Sequence, residues 1–134
     1  PTVSFAQWQY QHEEEFGLKD GEFVLFDELP ELDGILTANL TTPYAIGFIN
    51  LAKNGPTIVN VPPGHVGGAV NDAWQRPVAD LGLAGPDKGK GGKYLILPPG
   101  YDGEVPDGYH VVRSPSYNVW FIMRFSIKQG LDKE

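Results

Sequence analysis

The chain predicts an all-β domain, an antiparallel sandwich or partly closed barrel of about seven to nine strands with one flanking N-terminal helix. Two observations carry that prediction. Glycine (17) and proline (12) fall between apolar runs rather than in tracts, the pattern of short strands joined by tight connections. The runs themselves are four to eight residues long and alternate in polarity or are apolar on both sides, as strands do.

At 134 residues the chain is a single domain, residues 1–134, with enough length for a real core. Net charge is −7, held unevenly: residues 1–33 have nine acids against Lys19 alone, and the rest is close to neutral. Nucleic acid and an anionic membrane surface both require a basic face, so neither is expected as a partner. The apolar runs are far too short for a membrane-spanning helix, and no signal peptide is visible. There is no cysteine, which excludes disulfides, thiolate metal sites and a cysteine nucleophile. The chain starts at Pro1 without a methionine, consistent with removal of an upstream segment.

Ser4–Phe16 predicts the helix, with Ser4 as cap, Gln7 at the capping-box position, and Phe5, Trp8, His12 and Phe16 near one face. Gly17 stops it. Glu13, Glu14 and Glu15 oppose the helix dipole in the last turn, so packing must hold this helix. Phe23–Phe26 predicts a strand, residues 27–34 a loop, and Ile35–Ala38 another strand. From Tyr44 to Leu51 both faces are apolar, which suits a central strand. Asn54-Gly55 is a hairpin signal that would pair this strand with Thr57–Val61.

Gly67–Trp74 predicts a strand weakened by Gly67-Gly68, and Val78–Leu83 fits either a strand or a turn of helix. Lys93–Leu97 reads as a buried strand and Tyr109–Arg113 as one with a wetter face. Asp102-Gly103 and Asp107-Gly108 between them let the chain reverse. Asn118–Phe125 is a core strand, and Lys128–Glu134 a polar tail.

The stretches ILTANLTTPYAIGFINL, NDAW and GPDKGKGGKYLILPPGYDGEVPDGYHVVRSPSYNVW resemble the bacterial family known as domain of unknown function 1254, over residues 34–125. The resemblance implies a mostly antiparallel β architecture. It also implies that the domain is the N-terminal half of an exported or periplasmic two-domain protein with a second β-rich domain as partner. Many members carry an acid in the Asn-Thr-Pro-Tyr region where this chain has Thr41. That departure counts against a metal or catalytic role, so no catalytic residue is carried over.

Candidate chemistry lies in two polar groups. Asn39, Thr41, Thr42 and Tyr44 line the mouth of an apolar strand, where they serve either a ligand or ordinary turn capping. Asp72, Trp74 and Arg76 combine an acid, an aromatic and a cation, an arrangement suited to a sugar or planar ring; the same residues equally make an ion pair holding a strand end, and Trp8, Trp74 and Trp120 read as core aromatics rather than a stacking platform.

His12, His65 and His110 have no metal-ligand spacing, and neither a metal nor a cofactor is expected. The GPDKGK run at Gly85–Lys90 is followed by Gly91 rather than Ser or Thr and leads into a strand, so it is no phosphate loop. A solvated turn or a flexible cationic loop is the expectation there. The expected function is a binding or scaffold module whose partner is the C-terminal domain or a second copy, with a small molecule or carbohydrate as possible ligand. The alternative is half of a hydrolase with its site at the domain contact, built from Asp72, Arg76, Asn39 and Tyr44.

Overall fold

Tyr44–Asn50 is apolar on both sides because it lies inside a sheet covered on both faces. The structure, a computed structural model, describes residues 2–26 and 42–126. The first helix, α1, is Thr2–Phe16, followed by strand β1 at Phe23–Phe26 and β2 at Tyr44–Asn50. A one-turn helix, α2, spans Leu51–Asn54 and leads to β3 at Thr57–Val61 and β4 at Val66–Asp72. Then come β5 at Pro77–Gly82, β6 at Gly92–Leu97, β7 at His110–Arg113 and β8 at Asn118–Phe125. The domain is mostly β. Among the described residues the strands form two sheets and no closed barrel, so the barrel expectation is not met.

The larger sheet has the order β1-β2-β8-β4-β5, with every neighbouring pair antiparallel. Its two faces separate by the parity of the pleat. On one face Tyr44, Ile46 and Phe48 of β2 lie beside Ile122 and Trp120 of β8 and pack under α1. On the other, Ala45, Ile49, Val70, Val119, Phe121 and Met123 share one core with Val59, Val61, Tyr94, Ile96 and Val112 of the smaller sheet. Each such buried side chain is worth roughly 1.5–3 kcal/mol relative to exposure, so this shared core is the main cohesive element.

Helix α1 is held by aromatic contacts. Trp8 meets Trp120 and Phe48 edge-on at centroid distances of 4.9 and 5.5 Å, and Phe5 meets Phe48 at 5.6 Å. The predicted face of Phe5, Trp8 and His12 is therefore the one that packs. Ser4 is not the cap: the helix begins at Thr2, which puts Ser4 in the first turn.

Two expectations about connections are overturned. Asn54-Gly55 does not make a hairpin, and β2 and β3 belong to different sheets. Asn50 instead caps α2, its side chain accepting from the Ala52 and Lys53 amides at 3.1 and 3.2 Å. Gly55, at φ 67°, closes the turn by donating its N–H to the Leu51 carbonyl at 3.0 Å. An Asn-Gly pair serves a helix end as well as a hairpin, and here the intervening turn moves the chain to the other sheet.

The second correction concerns β6 and β7, which pair in parallel rather than by simple reversal. Their connection is residues 98–109, long enough for the crossover that parallel neighbours need. β3 joins the other side of β6 antiparallel, giving the order β3-β6-β7.

Gly67-Gly68 does not interrupt β4. That strand runs between β5 and β8, and a Cβ at Gly68 would collide with the Ile122 carbonyl oxygen. Strand β5 settles the Val78–Leu83 segment as strand rather than helix up to Gly82, with Leu83 in the turn that follows. The predicted strand at Ile35–Ala38 and the tail Lys128–Glu134 lie outside the described residues.

Candidate functional site

The β4–β5 turn is built around one carboxylate. Asp72 ends β4 on the core side, wholly excluded from solvent at 0% exposure. Its Oδ1 accepts the backbone N–H of Trp74 at 2.9 Å and that of Arg76 at 2.9 Å. Its Oδ2 accepts Nε and Nη2 of the Arg76 guanidinium at 2.8 and 2.7 Å, a two-pronged ion pair. Burial alone would raise the Asp72 pKa, but the Arg76 and Trp74 hydrogen bonds and the Arg76 charge outweigh it and hold the carboxyl below its usual range.

The backbone completes the knot. The Asp72 N–H donates to the Arg76 carbonyl at 3.0 Å, the Gln75 N–H donates to the Asp72 carbonyl at 2.9 Å, and Gln75 adopts φ 61°. A register shift between Val70 and Asn71 bends the strand just before the turn. The ion pair anticipated between Asp72 and Arg76 is thus present. Trp74 is 55% exposed, at the surface rather than in the core expected from the sequence, and the Arg76 side chain is 64% exposed.

A neighbouring loop is tied to this turn. Ser116 Oγ accepts the Ala73 N–H at 3.0 Å and donates to the Asn118 carbonyl at 2.7 Å. Ser114 Oγ donates to the Ser116 carbonyl at 2.6 Å. Tyr117, next in the loop, is 51% exposed, and its carbonyl accepts the Leu51 N–H at 2.7 Å. Tyr117 was missed from sequence because it reads as one more aromatic before a core strand. Only the Ala73–Ser116 contact brings its loop up to the turn that carries Trp74.

Tyr44 does not join this group. It pairs with Arg124 at one end of β8, whereas Asp72 pairs with Val119 five residues along, about 17 Å away at strand rise. Tyr44 also lies on the α1 face, with the Arg124 guanidinium 5.0 Å over its ring. Asn39 and Thr41 lie outside the described residues. The candidate residues therefore divide: Asp72, Trp74 and Arg76 come together, and Tyr44 stands apart.

The glycine-lysine loop holds a buried acid that sequence reading passed over. Asp87 is buried, and the Tyr94 hydroxyl donates to its Oδ1 while the Gly91 N–H donates to its Oδ2 at 3.2 Å. The Lys90 N–H donates to the Asp87 carbonyl at 2.9 Å and the Lys88 N–H to the Gly85 carbonyl at 3.1 Å. An internal carboxylate thus takes the amide that an external phosphate would need, and the loop is an internally bonded turn with Lys88 and Lys90 exposed. Burial would push the Asp87 pKa up, yet the Tyr94 and Gly91 hydrogen bonds bring it below its usual range. Burial first, and the Asp87 hydrogen bond second, push the Tyr94 phenol up to about 12. The available signal was Asp87 itself, a lone acid seven residues before a core tyrosine, and it resembles any turn former.

The His110 ring packs against Tyr94 at 4.9 Å, and His12 is buried in α1. Burial lowers the His12 pKa, against a smaller raising effect of its bond to the Trp8 carbonyl and of Glu15. Among the described residues no three His, Cys, Asp or Glu side chains gather in a way that could hold a metal ion. A shallow cleft of about 480 Å³, lined by Phe16, Leu18, Glu22 and Phe23 among others, contains none of the candidate residues.

The fold has a solved counterpart. The crystal structure of the VPA0106 protein from Vibrio parahaemolyticus, a structural-genomics target, superposes with a TM-score of 0.70 at 23% identity. The match covers 92% of this chain and 29% of that one, so the chain spans under a third of that protein's length. At this identity the likeness speaks for the fold. No curated protein matches the chain. The profile of the family described as "Protein of unknown function (DUF1254)" matches residues 21–134, most of the chain, and the protein belongs to that family.

Proposed function

We propose that this domain is a binding or scaffold module of an exported two-domain bacterial protein, and that its two sheets face each other as a sandwich. The sandwich is supported by the single core that draws residues from both sheets. The exported, two-domain setting follows the family resemblance. The module presents a rim made of the 72–76 turn and the 114–118 loop.

One observation carries this reading: the Asp72 carboxylate is saturated by four donors from its own turn. An acid or base in catalysis needs an oxygen turned toward the substrate. Asp72 instead spends its capacity on holding Trp74 and Arg76 at the surface. That supports a recognition role for the rim over the alternative, a hydrolase half with Asp72 in its site.

Native mass spectrometry of the purified chain tests the module directly. A retained small molecule, or a defined oligomer, is the expected result. A bare monomer whose full-length parent turns over substrate and loses that activity in Asp72→Asn without loss of stability would establish the hydrolase instead.

A further inference from the structure

We infer that Trp74 and Tyr117 form a two-ring platform for an uncharged sugar, an inference that rests on the binding-module reading above. Three features converge on it. First, each ring stands one residue beyond a bonded pair, the Ala73 N–H and Ser116 Oγ at 3.0 Å. The ladder that ends with Asp72 opposite Val119 puts the two residues at the same end of the sheet. Second, both rings are about half exposed although the chain has a well-formed core that could bury them. Rigid aromatic side chains give large contact area at small entropic cost, and their backbone is fixed here by the Asp72 knot and the serine loop.

Third, the charge at the platform is internally cancelled. Arg76 is the cation beside Trp74, and its guanidinium is committed through Nε and Nη2 to Asp72. An anionic ligand would have to compete with a buried carboxylate for that guanidinium. A pyranose ring presents apolar C–H faces to aromatic rings and hydroxyls to the remaining Arg76 N–H groups and the exposed Asn118. The uncharged ligand fits better.

The experiment titrates the whole chain with neutral hexasaccharides of glucose, xylose, mannose and N-acetylglucosamine, read by tryptophan fluorescence and indole N–H NMR shifts. At least one sugar is expected to shift the Trp74 signal. Trp74→Ala and Tyr117→Ala are each expected to weaken binding about tenfold, with Trp74→Phe and Tyr117→Phe retaining most of it. Both rings are exposed, so unchanged urea midpoints check that the variants fold.

If a sugar binds but neither alanine variant weakens it, the platform is overturned while the binding module stands. If no sugar binds and the double alanine variant converts a dimer to monomer by sedimentation, the rim is a protein interface. That too overturns the sugar and leaves the module. If no sugar binds and the chain is monomeric throughout, the inference falls and the module loses its support with it.

Discussion

The Tyr94 hydroxyl donates to the buried carboxylate of Asp87, and that contact fastens the glycine-lysine loop to core strand β6. The Tyr94 pKa is raised in the fold to about 12, so its contribution to stability is complete below the unfolded value of about 10 and is lost as pH climbs from there toward 12. Urea midpoints measured across that alkaline window should fall, and Tyr94→Phe should flatten the fall. At neutral pH the same substitution leaves Asp87 short of a donor and should cost about 1–3 kcal/mol. An alkaline limb unchanged by Tyr94→Phe would sink this assignment.

Asp72 predicts the opposite limb. Its folded pKa lies below the unfolded one, so its stabilisation is present above about pH 4 and disappears as pH falls through the folded value. Asp87 acts in the same direction. Asp72→Asn replaces one acceptor by a donor facing either two backbone N–H groups or a guanidinium, and should cost about 2–4 kcal/mol at neutral pH. The acid limb should also become shallower in the variant. Equal urea midpoints for the two proteins at neutral pH would mean that the turn is held by something else.

Strand positions were readable from sequence because alternation and turn residues are local signals. β1, β2, β3, β6 and β8 fall where the apolar runs do, and α1 where Phe5, Trp8 and His12 share a face. Pairing was not readable, since it depends on partners distant in the chain. Asn54-Gly55 bends the backbone in either setting, and nothing local says that Asn50 will cap a helix rather than continue a hairpin. Likewise 98–109 contains reversal signals whose sum, not whose presence, decides that β6 and β7 run parallel. Of the candidate site, the Asp72–Arg76 pair was visible because its members are four residues apart. Its separation from Tyr44 and its proximity to Tyr117 both depend on the register of β8.

Adjacent glycines in β4 give a matched pair of substitutions. A Cβ at Gly68 would run into the Ile122 carbonyl and the Met123 backbone, whereas one at Gly67 meets nothing within 4 Å. Backbone in the middle of a sheet cannot step aside, so Gly68→Ala should destabilise by about 1–3 kcal/mol or more. Gly67→Ala should be neutral or stabilise by about 0.4–1 kcal/mol, through the less flexible unfolded chain. Thermal unfolding of the two variants side by side checks both. If they behave alike, β4 is not spaced against β8 as described.

Helix α1 gives the last prediction. Its closing turn carries Glu13, Glu14 and Glu15 with no basic residue to offset the dipole, so its own sequence holds it poorly. The chief anchor is Trp8, wedged against both Trp120 and Phe48. It is half-buried rather than fully enclosed, and Trp8→Ala should cost about 2–3 kcal/mol, below the range for a fully buried tryptophan. Because the five-stranded sheet has its other face in the shared core, the loss should fall on α1 first. Hydrogen exchange in the variant should therefore speed up across Thr2–Phe16 while the amides of β2 and β8 stay protected. Equal acceleration in helix and sheet would show instead that α1 and the sheet unfold as one unit, with Trp8 a part of the central core.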